Sequence, residues 1–177
     1  MPIMPIMQLM AIMPTTPDLL DHLAEASLLG VHVLGGGVWV GAMVFSIFIL
    51  HPRAEQFFQR EADFEDFIFT VVHGARWKVF SGIVAILLSG VGLSVWPGHA
   101  IVLDDPIWLA AYAIKLALFV LAAGCFAYVS WVLWPKRTFA SAAELGPIKR
   151  HFFRVGVVMV AANALNMALG IAAHVWR

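Results

Sequence analysis

The chain has 177 residues, of which 62% are hydrophobic and 12% charged, about half the roughly 25% charged share of an ordinary soluble domain. Eleven basic and eleven acidic side chains cancel to a formal net charge of zero, which leaves no electrostatic footprint for a nucleic-acid partner. Too few polar groups remain to coat a water-facing surface, so the composition excludes a soluble enzyme and leaves room for one bundle in a lipid bilayer.

In chain order, the first segment is residues 1–24, rich in Met and Pro. Met1, Met4, Met7, Met10 and Met13 recur every third residue, with Pro2, Pro5 and Pro14 between them. A polyproline-type helix would put these thioethers on one side, where they suit Cu(I). The plainer reading is a loose leader. With no basic n-region, a signal peptide fits poorly.

A single transmembrane domain then spans residues 25–177. A membrane helix needs about 20 apolar residues, and four runs qualify: 26–50, 77–96, 107–134 and 152–176. Trp77, Trp96, Trp108, Trp134 and Trp176 sit near the ends of these runs, where amphipathic rings favour the interface. Pro52, Pro97, Pro106, Pro135 and Pro147 punctuate the connections. Residues 53–76 mix Phe57, Phe58, Phe64, Phe67 and Phe69 with five charges between Arg60 and Asp66. That mixture predicts a helix at the cytoplasmic interface, or an extension of the second span. The predicted fold is an all-α membrane four-helix bundle.

Basic residues set the orientation. Arg53, Arg60, Arg76 and Lys78 flank or fill the first connection, and Lys136, Arg137, Lys149, Arg150 and Arg154 the third. The second connection carries only Asp104 and Asp105. By the positive-inside rule the two basic connections are cytoplasmic and both termini face outward.

Ionisable groups inside a span are costly and point to function. His32 lies two turns into the first run and Lys115 two turns into the third. His174 lies near the outer end of the fourth run, and His99 lies in the outer connection. Helical spacing puts His32, Gly35, Gly36, Trp39, Met43 and Ser46 on one face, and Asn163, Asn166, Gly170 and His174 on another. Both stripes are small or polar and belong inside the bundle, where glycines admit a close neighbour or a flat macrocycle.

The predicted site therefore lies in the outer half, between the first, third and fourth helices. Facing histidines at one depth hold b-type haem in four-helix bundles, and neutral imidazole also binds copper. The haem reading uses His32, His174 and Lys115, with Trp39, Gly36 and Asn166 as walls. The copper reading uses His32, His174 and His99. His51, His73 and His151 form a second possible set at the cytoplasmic ends. His32 and His51 are 19 residues apart, about 28 Å along a helix, and cannot share a ligand. Cys125 is a lone packing residue. No nucleophilic triad and no HExxH motif occurs.

The stretch VHVLGGGVWVGAMVFSIFILHPRAE, residues 31–55, resembles the first helix of the copper resistance protein D (CopD) family. There a His is followed seven residues later by Trp, then x-Gly, with a Pro near the helix end, matched here by His32, Trp39, Gly41 and Pro52. RWKVFSGIVAILLSG, residues 76–90, is similar to that family's second helix, and AIKLALFVLAAG, residues 113–124, to its Lys-bearing third helix, which gives Lys115. The resemblance implies a bacterial inner-membrane protein of copper handling, matching the family's C-terminal four-helix module. It implies a homodimer, or a copper-carrier or redox partner, to complete a path. A weaker resemblance is to HemJ-type protoporphyrinogen oxidases, four-helix haem b proteins with a His on the first helix and a Lys on a later one. They carry an Arg further along the first helix, where Phe45 to Leu50 has none. A cofactor-free accessory subunit is the structural alternative.

Overall fold

A computed structural model describes residues 16–96 and 105–175, with side chains over 19–96 and 105–172. Every regular element among them is helical. We label them α1 (Thr16–Val44), α2 (His51–Phe57), α3 (Glu61–Val72), α4 (Ala75–Val95), α5 (Pro106–Tyr128), α6 (Trp134–Thr138) and α7 (Ala142–Val175). A π-helical segment, Phe45–Leu50, joins α1 to α2, and another, Val129–Leu133, joins α5 to α6. Four stretches are long and apolar enough to cross a membrane: Leu19–Phe57, Ala75–Val95, Pro106–Thr138 and Ala142–Ala172. The protein is a multi-pass membrane bundle.

Local chemistry fixes the starts. Asp105 caps α5 by accepting from the backbone N–H groups of Ile107 at 2.9 Å and Trp108 at 3.3 Å, with Pro106 in the first position, where its missing N–H costs nothing. Ser141 and Glu144 form a capping box before α7: the Glu144 carboxylate accepts from the Ser141 N–H at 2.9 Å and hydroxyl at 2.6 Å. Between α3 and α4 the chain turns at Gly74, whose φ of 74° is open to glycine and strained for a residue with a Cβ.

The prolines behave differently from the sequence expectation. Pro52, Pro135 and Pro147 lie within helices and not in the connections. Proline removes one N–H and crowds the preceding turn. Before Pro52 and Pro135 the backbone responds by widening. The N–H of His51 reaches back five residues to Ser46 O, and that of Trp134 to Val129 O, so each π-turn ends one residue before its proline. Pro147 interrupts only one bond early in a 34-residue helix.

The helices pack as two main pairs, α1 with α4 and α5 with α7, joined by contacts of α1 with α7. The core between them holds Trp39, Met43, Ile47, Ile83, Ile86, Ala122, Met159 and Ala162. Gly156 lets the pairs close: a Cβ there would stand 2.7 Å from Ile47 Cδ1. A second core gathers Ala54, Phe64 and Ile68, so α3 folds back against α2 as a helix distinct from α4. Large apolar side chains such as Leu34, Val38, Leu88 and Val120 remain 61–73% exposed, as a lipid-facing surface requires. Both basic connections lie at one end, here called the basic end.

Candidate functional site

His32 is half-buried on α1. Its Nδ1 lies 3.0 Å from Ile86 O and 3.3 Å from Ser89 Oγ, both on α4. The carbonyl can only accept, so the Nδ1–H donates to it and the Nε2 carries the lone pair. The ring lies directly over Gly90: a Cβ there would be 2.9 Å from His32 Cε1. Thus α4 holds the imidazole, whereas the sequence pattern surrounded it with the first, third and fourth helices. Ser89 and Gly90 were missed because they read as ordinary packing residues in an apolar run. Their only signal was their adjacency at the depth of His32.

Lys115 is half-buried on α5, and its Nζ lies 3.4 Å from where a Cβ of Gly170 on α7 would be. Asn166 donates its Nδ2 to Lys115 O at 3.0 Å, which pins α7 to α5. Its neighbour Asn163 is buried and donates to Met159 O within its own helix at 3.0 Å. Among the described residues Lys115 has no carboxylate partner. An ammonium at this depth is stable only with a counter-ion or water.

Trp39 and Gly36 are the positions on α1 that the sequence pattern expects as walls. Trp39 is buried with its ring edge-on to Phe119 at 6.2 Å, and its Nε1–H has no hydrogen-bond partner among the described residues. Gly36 is half-buried, with open space where a Cβ would project, whereas Gly35 is packed against Ile86. His99 and the side chain of His174 fall outside the described residues, so the copper set His32, His174 and His99 is described only at His32. Among the described residues no three His, Cys, Asp or Glu side chains gather as a metal-binding group. A haem brings its own four equatorial ligands and asks the protein for one or two axial ones. Among the described residues two groups bear on such a cofactor: an imidazole with its tautomer fixed from behind, and the Lys115 ammonium, which has no carboxylate partner there.

The second histidine set does not assemble. His73 is exposed against Phe69, and His151 is exposed with its Nε2 3.2 Å from the Tyr128 hydroxyl. His51 points inward by itself. Its Nδ1–H donates to Ser46 O at 2.7 Å, the carbonyl that the π-turn also turns toward its backbone N–H. Its Nε2 is shielded from solvent and has no hydrogen-bond partner among the described residues. Around it lie ion pairs that the sequence used only to set orientation. Arg137, 4% exposed, donates to both oxygens of Glu65 at 2.8 and 2.9 Å, with its guanidinium over the rings of Phe64, Trp134 and Phe152. Lys149 donates to Glu55 at 2.7 Å and Glu61 at 2.8 Å. The sequence signal was an acidic amphipathic helix at the same end as two basic connections.

Comparison with protein-family models, with curated proteins and with solved structures found no match to this chain.

Proposed function

We propose that this chain is a haem b-binding electron-transfer protein of a bacterial inner membrane, with His32 as ligand to the iron and Lys115 as partner to a haem carboxylate. The observation that carries the reading is the state of His32. A backbone carbonyl fixes its Nδ1–H at 3.0 Å and leaves Nε2 with an uncommitted lone pair inside the span. Such backing is what orients metal-bound imidazoles and raises their basicity. Ser89, 3% exposed, adds a hydroxyl behind the same nitrogen. Lys115 would pair with a carboxylate of the group, and a charge-assisted pair inside the span would satisfy both. Bound haem supplies one-electron chemistry. The chain's own residues orient the imidazole, neutralise the carboxylate and keep water from the core. The basic end is then cytoplasmic and His32 lies in the outer half.

The test is the visible spectrum of the detergent-purified chain from haem- and copper-replete cells, with metal content measured on the same sample. The expected result is a Soret band that disappears in His32→Ala and weakens in Lys115→Met. Copper without a Soret band would favour the copper-handling reading. A well-folded preparation with neither would overturn both.

A further inference from the structure

At the basic end an open groove of about 640 Å³ lies along the stretch that carries α1 into α2, with Phe58 and Phe67 as its other wall. Arg53 and Gln56 are its only polar lining residues, and Arg53 the only charged one. Three properties limit what it can hold. The first is direction. Phe45, Ile49 and Arg53 follow at four-residue steps and line the same groove. Phe45 and Ile49 lie inside the spanning stretch and are 51% and 49% exposed, so that part of the groove opens to hydrocarbon. Arg53 lies eight residues beyond Phe45, about 12 Å along a helix, which is within the roughly 15 Å of one leaflet's hydrocarbon. The groove therefore runs from hydrocarbon to interface, with its cation at the interface. The second is charge. The side chain of Arg53 is exposed, and among the described residues no carboxylate pairs with it. Its neighbours' carboxylates are held by other cations: Glu55 and Glu61 by Lys149, Asp63 by Arg60, and Glu65 by Arg137. An uncommitted guanidinium is a bidentate partner for a phosphate. The third is the wall. The Phe58 and Phe67 rings are 5.3 Å apart and pack on the core of Ala54, Phe64 and Ile68, so the groove is formed before anything enters it. A free phosphate or a water-soluble peptide would use the interface end alone and leave the deeper half to the bilayer.

We infer that this groove holds one anionic phospholipid of the leaflet at the basic end, with its phosphate on Arg53 and an acyl chain along Phe45 and Ile49 against the wall of Phe58 and Phe67. Gln56, nearly one turn past Arg53, brings an amide to the same headgroup level. Basic residues next to a span attract anionic headgroups in general. What sets Arg53 apart is the apolar groove that continues from it toward the bilayer centre and gives the chain of the same lipid a place to lie. The binding does not need the haem reading and goes beyond it.

The test is native mass spectrometry of the full chain in detergent, titrated with dioleoyl-phosphatidylglycerol or with dioleoyl-phosphatidylcholine, which has the same chains and no net charge. The expected result is one retained lipid, with phosphatidylglycerol at least tenfold tighter than phosphatidylcholine. Arg53→Gln is expected to bring the two within twofold, and Arg154→Gln, which removes an exposed cation outside the groove, to leave the preference unchanged. Ile49→Trp, which fills the groove and keeps the charge, is expected to weaken retention of phosphatidylglycerol at least tenfold. Equal affinity for the two lipids in the wild-type chain would overturn the inference without any variant having to fold. So would a preference unchanged in Arg53→Gln, or one lost equally in Arg154→Gln. A lipid-independent dimer broken by Ile49→Trp would put a second copy of the chain in the groove and overturn it too. The same titration on His32→Ala is expected to match wild type, which keeps a failure here distinct from a failure of the haem reading.

Discussion

His32 and His51 lie 19 residues apart on one continuous helical stretch and share one device, an Nδ1–H tied to a backbone carbonyl. Their surroundings differ. Around His32 lie Gly90 under the ring, Gly36 one turn on and Ser89 behind, while the Lys115 ammonium on α5 has no carboxylate partner among the described residues. Around His51 the neighbours are aromatic rings and cations already held by carboxylates. The same imidazole therefore sits in two different settings. The His32 end offers a cation with no carboxylate partner among the described residues, which suits an anionic group. At the other, the Arg137 guanidinium already lies over the rings of Phe64 and Phe152.

Substitutions that separate the two ends are expected to fall in a clear order. The largest effect on stability belongs to Arg137→Met, which strands Glu65 beside a buried aromatic cluster. Breaking a buried pair by removing one partner costs about 3–5 kcal/mol, and chemical unfolding in mixed micelles is expected to register it while leaving haem content per folded chain unchanged. Next is Gly156→Ala, whose new Cβ would meet Ile47 Cδ1 at 2.7 Å where the two helix pairs close. Overpacking of this kind costs about 1–3 kcal/mol, read by the same unfolding curve. Gly90→Ala is milder for the fold but aimed at the site. Its Cβ would stand 2.9 Å from His32 Cε1 and push the ring off Ile86 O, for a loss of about 1 kcal/mol of hydrogen bonding and a reduced Soret band. Least is Arg60→Ala. Its pairing with Asp63 at 3.5 Å is between exposed side chains, and such pairs contribute about 0–1 kcal/mol. Neither end of the bundle is expected to notice it.

Much of this contrast was legible in the sequence, and the missing parts have physical reasons. Four apolar runs predicted four spanning helices, and the glycine and asparagine stripes predicted faces that the core does use: Trp39 and Met43 on α1 are buried, as is Asn163 on α7. His32 stood out because a titratable group in an apolar run is costly. Its partners did not, because Ile86 offers a carbonyl, which every residue has, and Gly90 offers an absence. The basic end was harder to read. Pattern reading treats proline as a break, whereas Pro52 and Pro135 sit in helices that accommodate them by widening a turn, and a periodicity of 3.6 carries no sign of the inserted residue. The charges on 53–76 were read for orientation and for an interfacial helix, and those on the third connection for orientation, but not as ion pairs, because which Glu meets which Arg depends on α3 folding back against α2, a long-range packing event with no local signature.

Haem content per chain, measured by pyridine haemochrome on wild type, His32→Ala and His51→Ala, bears most directly on the division of labour between the ends. The expected result is one haem in wild type, none in His32→Ala, and one in His51→Ala. Haem retained in His32→Ala, or lost equally from both variants while each remains folded, would contradict it.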